Sequence, residues 1–280
     1  MEGAGVTVRS VPMYRSTMSV GRRWRGLVAA LLLVGGCKQA KEPKSGGESA
    51  VAAGRDENEG RLSARPGRPT VEAPERGLRP LGLGGERDGL LYVPASYRAE
   101  RPAPLVVVLH GSRSGARDGL APWLKLADEA GLLLLAPESR GHTWDIVLRD
   151  GGYGPDVPFI DRALAHVFAR YAVEPRRLAL AGFSDGASFA LSLGLTNGDL
   201  FTHVVAFSPG FVSPGVQHGE PGVFLSHGRE DAVLPIGPCS RSILPLLREA
   251  GYTVRYREFD GPHTVPPDIA REALGWFTSP

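Results

Sequence analysis

The stretch Leu178-Ala179-Leu180-Ala181 runs apolar into Gly182-Phe183-Ser184-Asp185-Gly186, and from Ala187 onward the pattern is helical. A strand that turns this sharply into a helix holds its central serine in a strained backbone conformation and leaves the hydroxyl exposed. A Cβ two positions to either side would collide with the neighbouring strand or helix, so glycine fits at 182 and 186. The chain has 37 glycines in 280 residues, however, so Gly-x-Ser-x-Gly also arises by chance, and an ordinary strand-to-helix turn is the competing reading. Context decides between the two.

That context is a regular alternation. Short apolar or β-branched runs at 90–93, 104–109, 132–136, 177–181, 203–207, 222–226 and 253–259 read as strands. Helical patterns fall between them at 117–130, 157–172, 185–197, 239–250 and 267–277, with Asp156 and Pro158 expected as cap and first-turn proline of the second. Strands separated by helices imply an α/β fold: a mostly parallel sheet covered by helices on both faces. The chain is 42% apolar, enough for one sizeable core, and no insertion exceeds an ordinary crossover. No lid domain is therefore expected, and an open cleft suits small or protruding acyl groups.

In such sheets ligands gather at the carboxyl ends of the strands. Polar residues recur there: His110-Gly111-Ser112, Glu138-Ser139-Arg140, Ser184, Ser208-Pro209-Gly210, His227-Gly228-Arg229-Glu230-Asp231 and Gly261-Pro262-His263. A serine nucleophile needs a base, and the base needs an orienting carboxylate. Ser184, an acid near 230 and His263 follow one another on successive strand-end loops, in the order Ser, acid, His. Glu230, Asp231 and Asp260 are the candidate acids.

These motifs together resemble the α/β-hydrolase fold. Within it they are similar to the phospholipase/carboxylesterase group of serine esterases, with some likeness to polyhydroxybutyrate-depolymerase-like and feruloyl esterases, over roughly 88–280. The resemblance implies a carboxylic ester hydrolase that works through an acyl-enzyme. Its triad would be Ser184, Asp231 and His263, with Asp231 chosen because its loop matches a His-Gly-x-x-Asp-x-x-Val pattern. The His110-Gly111 turn resembles an oxyanion-hole turn, which would place the backbone N–H groups of Ser112 and Asp185 on the substrate carbonyl and leave His110 structural. Residues 139–145 resemble a segment that runs beside the pocket. Trp144 either stacks on a substrate or packs under a loop, and Phe211 stands in the same position. Ser112 and Pro262 depart from the residues common in this group. The same triad serves a peptidase or amidase, and a hydrolase fold kept as a non-catalytic envelope lipoprotein is the rival from another class.

The amino terminus carries a different kind of signal. Arg22, Arg23 and Arg25, the apolar run Leu27–Val34 and Gly35-Gly36-Cys37 form a signal segment over 1–36, with Met18 as an alternative start. Val34-Gly35-Gly36-Cys37 resembles a bacterial lipobox, which implies acylation of Cys37, a membrane-anchored envelope location and, from Lys38, the outer membrane; plain secretion is the alternative. Residues 37–77, poor in large apolar side chains, are expected to be a disordered tether, and 78–280 the catalytic domain. Of the 32 basic and 30 acidic residues, the first 77 positions hold 13 and 8, so the folded part is net acidic and a nucleic-acid footprint is not expected. The histidines lack metal-type spacing, and no metal or cofactor is expected; the partner is a small-molecule ester. Cys239 is expected to be a buried or free thiol once Cys37 is lipidated.

Overall fold

The computed structural model describes residues 59–72, 76–149 and 151–279. The chain runs β1 (Gly77–Pro80), β2 (Gly89–Val93), β3 (Ala103–Leu109), α1 (Ala116–Leu120), α2 (Leu124–Ala130), β4 (Leu133–Pro137), α3 (Asp145–Leu148), α4 (Asp156–Arg170) and β5 (Val173–Phe183). It continues through α5 (Asp185–Thr196), β6 (His203–Phe207), β7 (Gly222–Gly228), α6 (Ser240–Glu249), β8 (Val254–Phe259) and α7 (Pro267–Thr278). The strands form one sheet in the order β1-β2-β4-β3-β5-β6-β7-β8. β1 and β2 are antiparallel to their neighbours, and every pairing from β4 to β8 is parallel. This is the mostly parallel, helix-covered sheet that the alternation implied, and it agrees with the α/β-hydrolase fold that the motif resemblance implied.

Alternate residues of the central strands feed opposite faces, as the two-residue period of a strand requires. On β3, Leu105, Val107 and Leu109 join the apolar cluster under α4 and α5, whereas Val106 and Val108 join the one under α1, α2 and α7. Leu178 and Leu180 of β5 divide from Ala179 and Ala181 in the same way. Burial on both faces explains why these strands read as unbroken apolar runs.

From β3 the chain first crosses to β4 on one side, then returns to lay β5 on the other. The crevice between the carboxyl ends of β3 and β5 is thus the switch point of the sheet, and it receives Gly111-Ser112 and Ser184 together.

Three boundaries differ from the sequence reading. The helix expected over 117–130 is two helices, because Pro122 between them has no N–H to continue the ladder. Asp156 does not cap α4, whose cap position is Pro155; its carboxylate is turned inward to other backbone groups. Part of the expected tether is fixed to the domain. Leu62 is 2% exposed, its N–H donates to Asn197 Oδ1 at 2.9 Å, and Asn197 Nδ2 donates to Gly60 O at 2.8 Å. Arg61 pairs with both oxygens of Asp199 at 2.9 Å, and Asp161 accepts the Ser63 and Ala64 N–H groups. One buried leucine and three polar side chains on the domain supply the partners that the segment's own composition lacks. Cys37 and the signal segment lie outside the described residues. Among the described residues no helix is long and apolar enough to cross a membrane.

Candidate active site

Ser184 sits between β5 and α5 with φ 57 and ψ −123, a region that side-chain-bearing residues rarely adopt. Its N–H donates to Phe207 O at 2.9 Å, which ties the turn to the next strand. A Cβ on Gly182 would overlap the Gly186 carbonyl, and one on Gly186 would overlap the Leu109 and His110 carbonyls. The sharp turn is possible because both positions are bare backbone.

The structure brings the three sequence-selected side chains together. Ser184 Oγ is 2.8 Å from His263 Nε2, and His263 Nδ1 is 2.6 Å from Asp231 Oδ2. The imidazole therefore carries its proton on Nδ1, donated to the carboxylate, and leaves Nε2 to accept the serine hydroxyl proton. Phe183 stacks on the His263 ring at 4.6 Å. Of the rival acids, Asp260 is 82% exposed and paired with Arg229, and Glu230 is on the surface.

Asp231 is held more fully than the sequence implied. Its Oδ1 accepts the N–H groups of Val233 and Leu234 at 2.9 and 2.8 Å. His227, fully buried, places Nε2 2.7 Å from Leu234 O and 3.2 Å from Asp231 Oδ2, while its Nδ1 accepts the Ser240 hydroxyl at 2.7 Å. Burial works to raise the Asp231 pKa, but the Leu234 N–H and the His263 imidazole outweigh it and hold the carboxyl below its ordinary value. Burial pushes the His227 pKa down, in keeping with a neutral ring. The sequence presented His227 only as the first residue of the motif that selected Asp231, with no role of its own, and Ser240 did not stand out at all.

On the other side of Ser184, the Gly111 backbone passes close enough that a Cβ there would lie 3.6 Å from Ser184 Cβ. Ser112 follows it on the cavity wall. Asp185 is the first residue of α5, so its N–H has no partner within the helix and is free to face a reacting oxygen. His110 is fully buried: its Nδ1 donates to Gly111 O at 2.7 Å and its Nε2 accepts the Ser139 N–H at 3.0 Å. Burial lowers its pKa, and the ring braces the turn as a neutral group.

A cavity of about 470 Å³ opens in front of Ser184 and His263. Its walls are largely apolar: Trp123, Phe183, Phe207, Val265 and Val233, the last 67% exposed at the rim. Trp144 and Phe211 are not among them. Trp144 is fully buried. It donates from Nε1 to His110 O at 2.8 Å and stacks on His110 and Phe189, so the reading as a packing residue replaces the substrate-stacking one. Phe211 packs against the core beneath α5. The aromatic wall comes instead from Trp123, which the sequence presented only as part of a helix. Cys239, at the head of α6, is buried, and burial pushes its thiol up to about 11. Among the described residues no group of three or more His, Cys, Asp or Glu side chains is arranged to hold a metal.

The sequence model of the family described as "Putative esterase" matches residues 159–242, a span that contains the Ser184 turn and Asp231. The crystal structure of esterase PE8 superposes with a TM-score of 0.56 at 27% identity, covering 69% of this chain and 98% of that one. The chain has the α/β-hydrolase fold, and the proteins it is similar to are esterases. This α/β-hydrolase is also 30% identical over 159 residues to a probable feruloyl esterase C of Aspergillus oryzae, a match covering 54% of this chain and 57% of the relative. It is 28% identical over 141 residues to a poly(3-hydroxybutyrate) depolymerase of Ralstonia pickettii, covering 43% and 28%. The chain thus spans little more than half the length of the first of these relatives, and about a quarter of the second.

Proposed function

We propose that the chain is a serine carboxylesterase. Ser184 Oγ adds to the ester carbonyl as its proton passes to His263 Nε2, and Asp231 stabilises the imidazolium. The N–H groups of Ser112 and Asp185 bind the oxyanion. His263 then gives its proton to the leaving alkoxide, and water, activated by the same imidazole, releases the acid from Ser184. The observation that carries this reading is the unbroken relay from Ser184 Oγ to Asp231 Oδ2, at 2.8 and 2.6 Å, facing an apolar cavity. That cavity, together with relatives named for feruloyl and 3-hydroxybutyrate esters, favours compact aromatic or short acyl groups.

The test is turnover of p-nitrophenyl esters of graded acyl length, methyl ferulate and a peptide amide by the full chain. Ester turnover that falls roughly 10³-fold or more in Ser184→Ala, with labelling of Ser184 by a fluorophosphonate probe, supports the reading. Turnover that survives Ser184→Ala, or amide turnover exceeding ester turnover, overturns it.

The same reading places residues 1–36 as an export signal and Cys37 as a lipid anchor that holds the hydrolase in the cell envelope. The support is the sequence pattern that ends in Val34-Gly35-Gly36-Cys37. Incorporation of labelled palmitate that disappears in Cys37→Ser tests it; a soluble, unlabelled wild-type product contradicts it.

A further inference from the structure

Residues 139–144, the loop that leaves β4, contact both strands of backbone that flank the Ser184 hydroxyl. On the Ser112 side, Ser139 N–H donates to His110 Nε2 at 3.0 Å, Trp144 Nε1 donates to His110 O at 2.8 Å, and His142 O accepts the Arg113 N–H at 2.7 Å. On the α5 side, Thr143 Oγ1 donates to Asp185 Oδ2 at 2.6 Å. The loop is itself fixed from beneath: Asp156 accepts the Arg140 and Asp145 N–H groups at 2.6 and 2.7 Å, and Asp145 Oδ2 accepts the Asp156 N–H at 2.8 Å. Thr143 is 3% exposed, so its hydroxyl makes this bond with little competition from water.

Asp185 has two opposed properties. Its N–H, at the head of α5, is one of the two that the esterase reading assigns to the oxyanion, and its side chain brings a negative charge to the same residue. A carboxylate free to rotate toward the oxyanion would oppose the charge that the N–H is there to stabilise. The helix N-terminus favours an acid at this position, but it does not decide which way the acid points. The Thr143 hydroxyl does. We propose that Thr143 is a positioning residue, whose bond to Asp185 Oδ2 holds that carboxylate against the 139–144 loop and away from the forming oxyanion. This rests on the serine-esterase reading of Ser184 and goes beyond it by adding a side chain that touches neither substrate nor triad.

The experiment compares Thr143→Val, which keeps the shape and loses the hydroxyl, with Thr143→Ser, which keeps the hydroxyl, on p-nitrophenyl butyrate. Each is also made in an Asp185→Asn background. The expected result is a 10- to 100-fold fall in kcat for Thr143→Val with KM within about twofold of wild type, a parallel fall in the rate of fluorophosphonate labelling, and recovery to within about threefold in Thr143→Ser. In the Asp185→Asn background, where there is no charge to restrain, Thr143→Val costs less than threefold. The proposal is overturned by a Thr143→Val enzyme with kcat within twofold of wild type, by equal losses in the valine and serine variants, or by an undiminished loss in the Asp185→Asn background. If Thr143→Val does not fold, Thr143→Ala, which also lacks the hydroxyl, takes its place and is expected to show the same fall in kcat at unchanged KM, reduced to less than threefold relative to the Asp185→Asn parent; kcat within twofold of wild type overturns the proposal. A wild-type chain that neither hydrolyses the ester nor labels overturns the esterase reading and this inference with it. An active wild type with an unimpaired Thr143→Val overturns the inference alone.

Discussion

Gly182 lies so close under the Gly186 carbonyl that it has no room for a Cβ, and Gly186 in turn is pressed against the Leu109 and His110 carbonyls at the end of β3. The obstruction is backbone carbonyl in both cases, which cannot swing aside as a side-chain tip can. Gly182→Ala or Gly186→Ala is therefore expected to cost more than about 3 kcal/mol, or to prevent accumulation of folded protein. Gly275, exposed in α7 with nothing within 4 Å of a Cβ, gives the opposite sign: alanine there is expected to stabilise by up to about 1 kcal/mol, because it lowers the entropy lost on forming the helix. Thermal unfolding of the three variants checks both directions.

Asp145 and Asp156 are buried and accept each other's backbone N–H groups, and Asp145 Oδ1 has no hydrogen-bond partner. Burial pushes the Asp145 carboxyl up to about 6, with Asp156 adding to the rise against the Asp156 N–H that favours the charge. A folded-state pKa above that of an unfolded aspartate means the folded chain holds the proton longer, so stability falls as pH rises from about 4 through 6. Asp145→Asn removes that dependence and keeps an acceptor for the Asp156 N–H. It is expected to be more stable than wild type above about pH 6, by on the order of 1–2 kcal/mol, and indistinguishable near pH 4. Urea unfolding across pH 4–8 measures the crossover.

The strand-end chemistry was legible in the sequence because a buried parallel strand writes itself as an apolar run and its functional residue comes directly after. Ser184, Asp231 and His263 could be placed on one edge of the sheet for that reason. Thr143 and His227 could not be assigned roles, since each works through hydrogen bonds to other residues of the site and no local period marks such partners. Trp144 stayed open for a related reason: a tryptophan beside polar loop residues reads equally as a platform for substrate or as core, and its bond to His110 O is what decides. β1 was missed because Gly-Leu-Arg-Pro has neither a strand's period nor its apolar content; it is held by pairing with β2 and by the packing of Leu78 alone against the core.

The fixed segment at 59–72 is expected to carry measurable stability. Leu62 lies in the cluster under α4 and α5, so Leu62→Ala removes buried apolar surface and leaves a cavity, at a cost of about 2–3 kcal/mol. For a folded domain of this size that is roughly 5–10 °C in Tm. Arg61→Ala breaks a pair that is partly open to solvent and is expected to cost less than about 1 kcal/mol, and less still at high salt. A larger loss for Arg61→Ala than for Leu62→Ala would mean that the ion pair, not the leucine, holds the segment.

Asp231→Asn separates orientation from mere occupancy of the site. The asparagine Oδ1 can still accept the Val233 and Leu234 N–H groups, so the loop is expected to keep its shape. The amide NH₂ then faces His263 Nδ1, where it can donate but not accept. The imidazole proton is driven to Nε2, and a protonated Nε2 has no lone pair for the Ser184 hydroxyl. The expected loss in kcat is on the order of 10³–10⁴ with little change in KM. Stability responds differently. Because the folded-state pKa of Asp231 lies below its ordinary value, its carboxylate contributes stability that is present above about pH 4 and lost as pH falls through the depressed value. The asparagine variant has no such contribution to lose, and its stability is expected to decline less steeply than that of wild type below pH 4. A variant with kcat within tenfold of wild type would assign the orienting role to another acid, with Asp260 as the nearest candidate in sequence, and Asp260→Asn would then carry the loss instead.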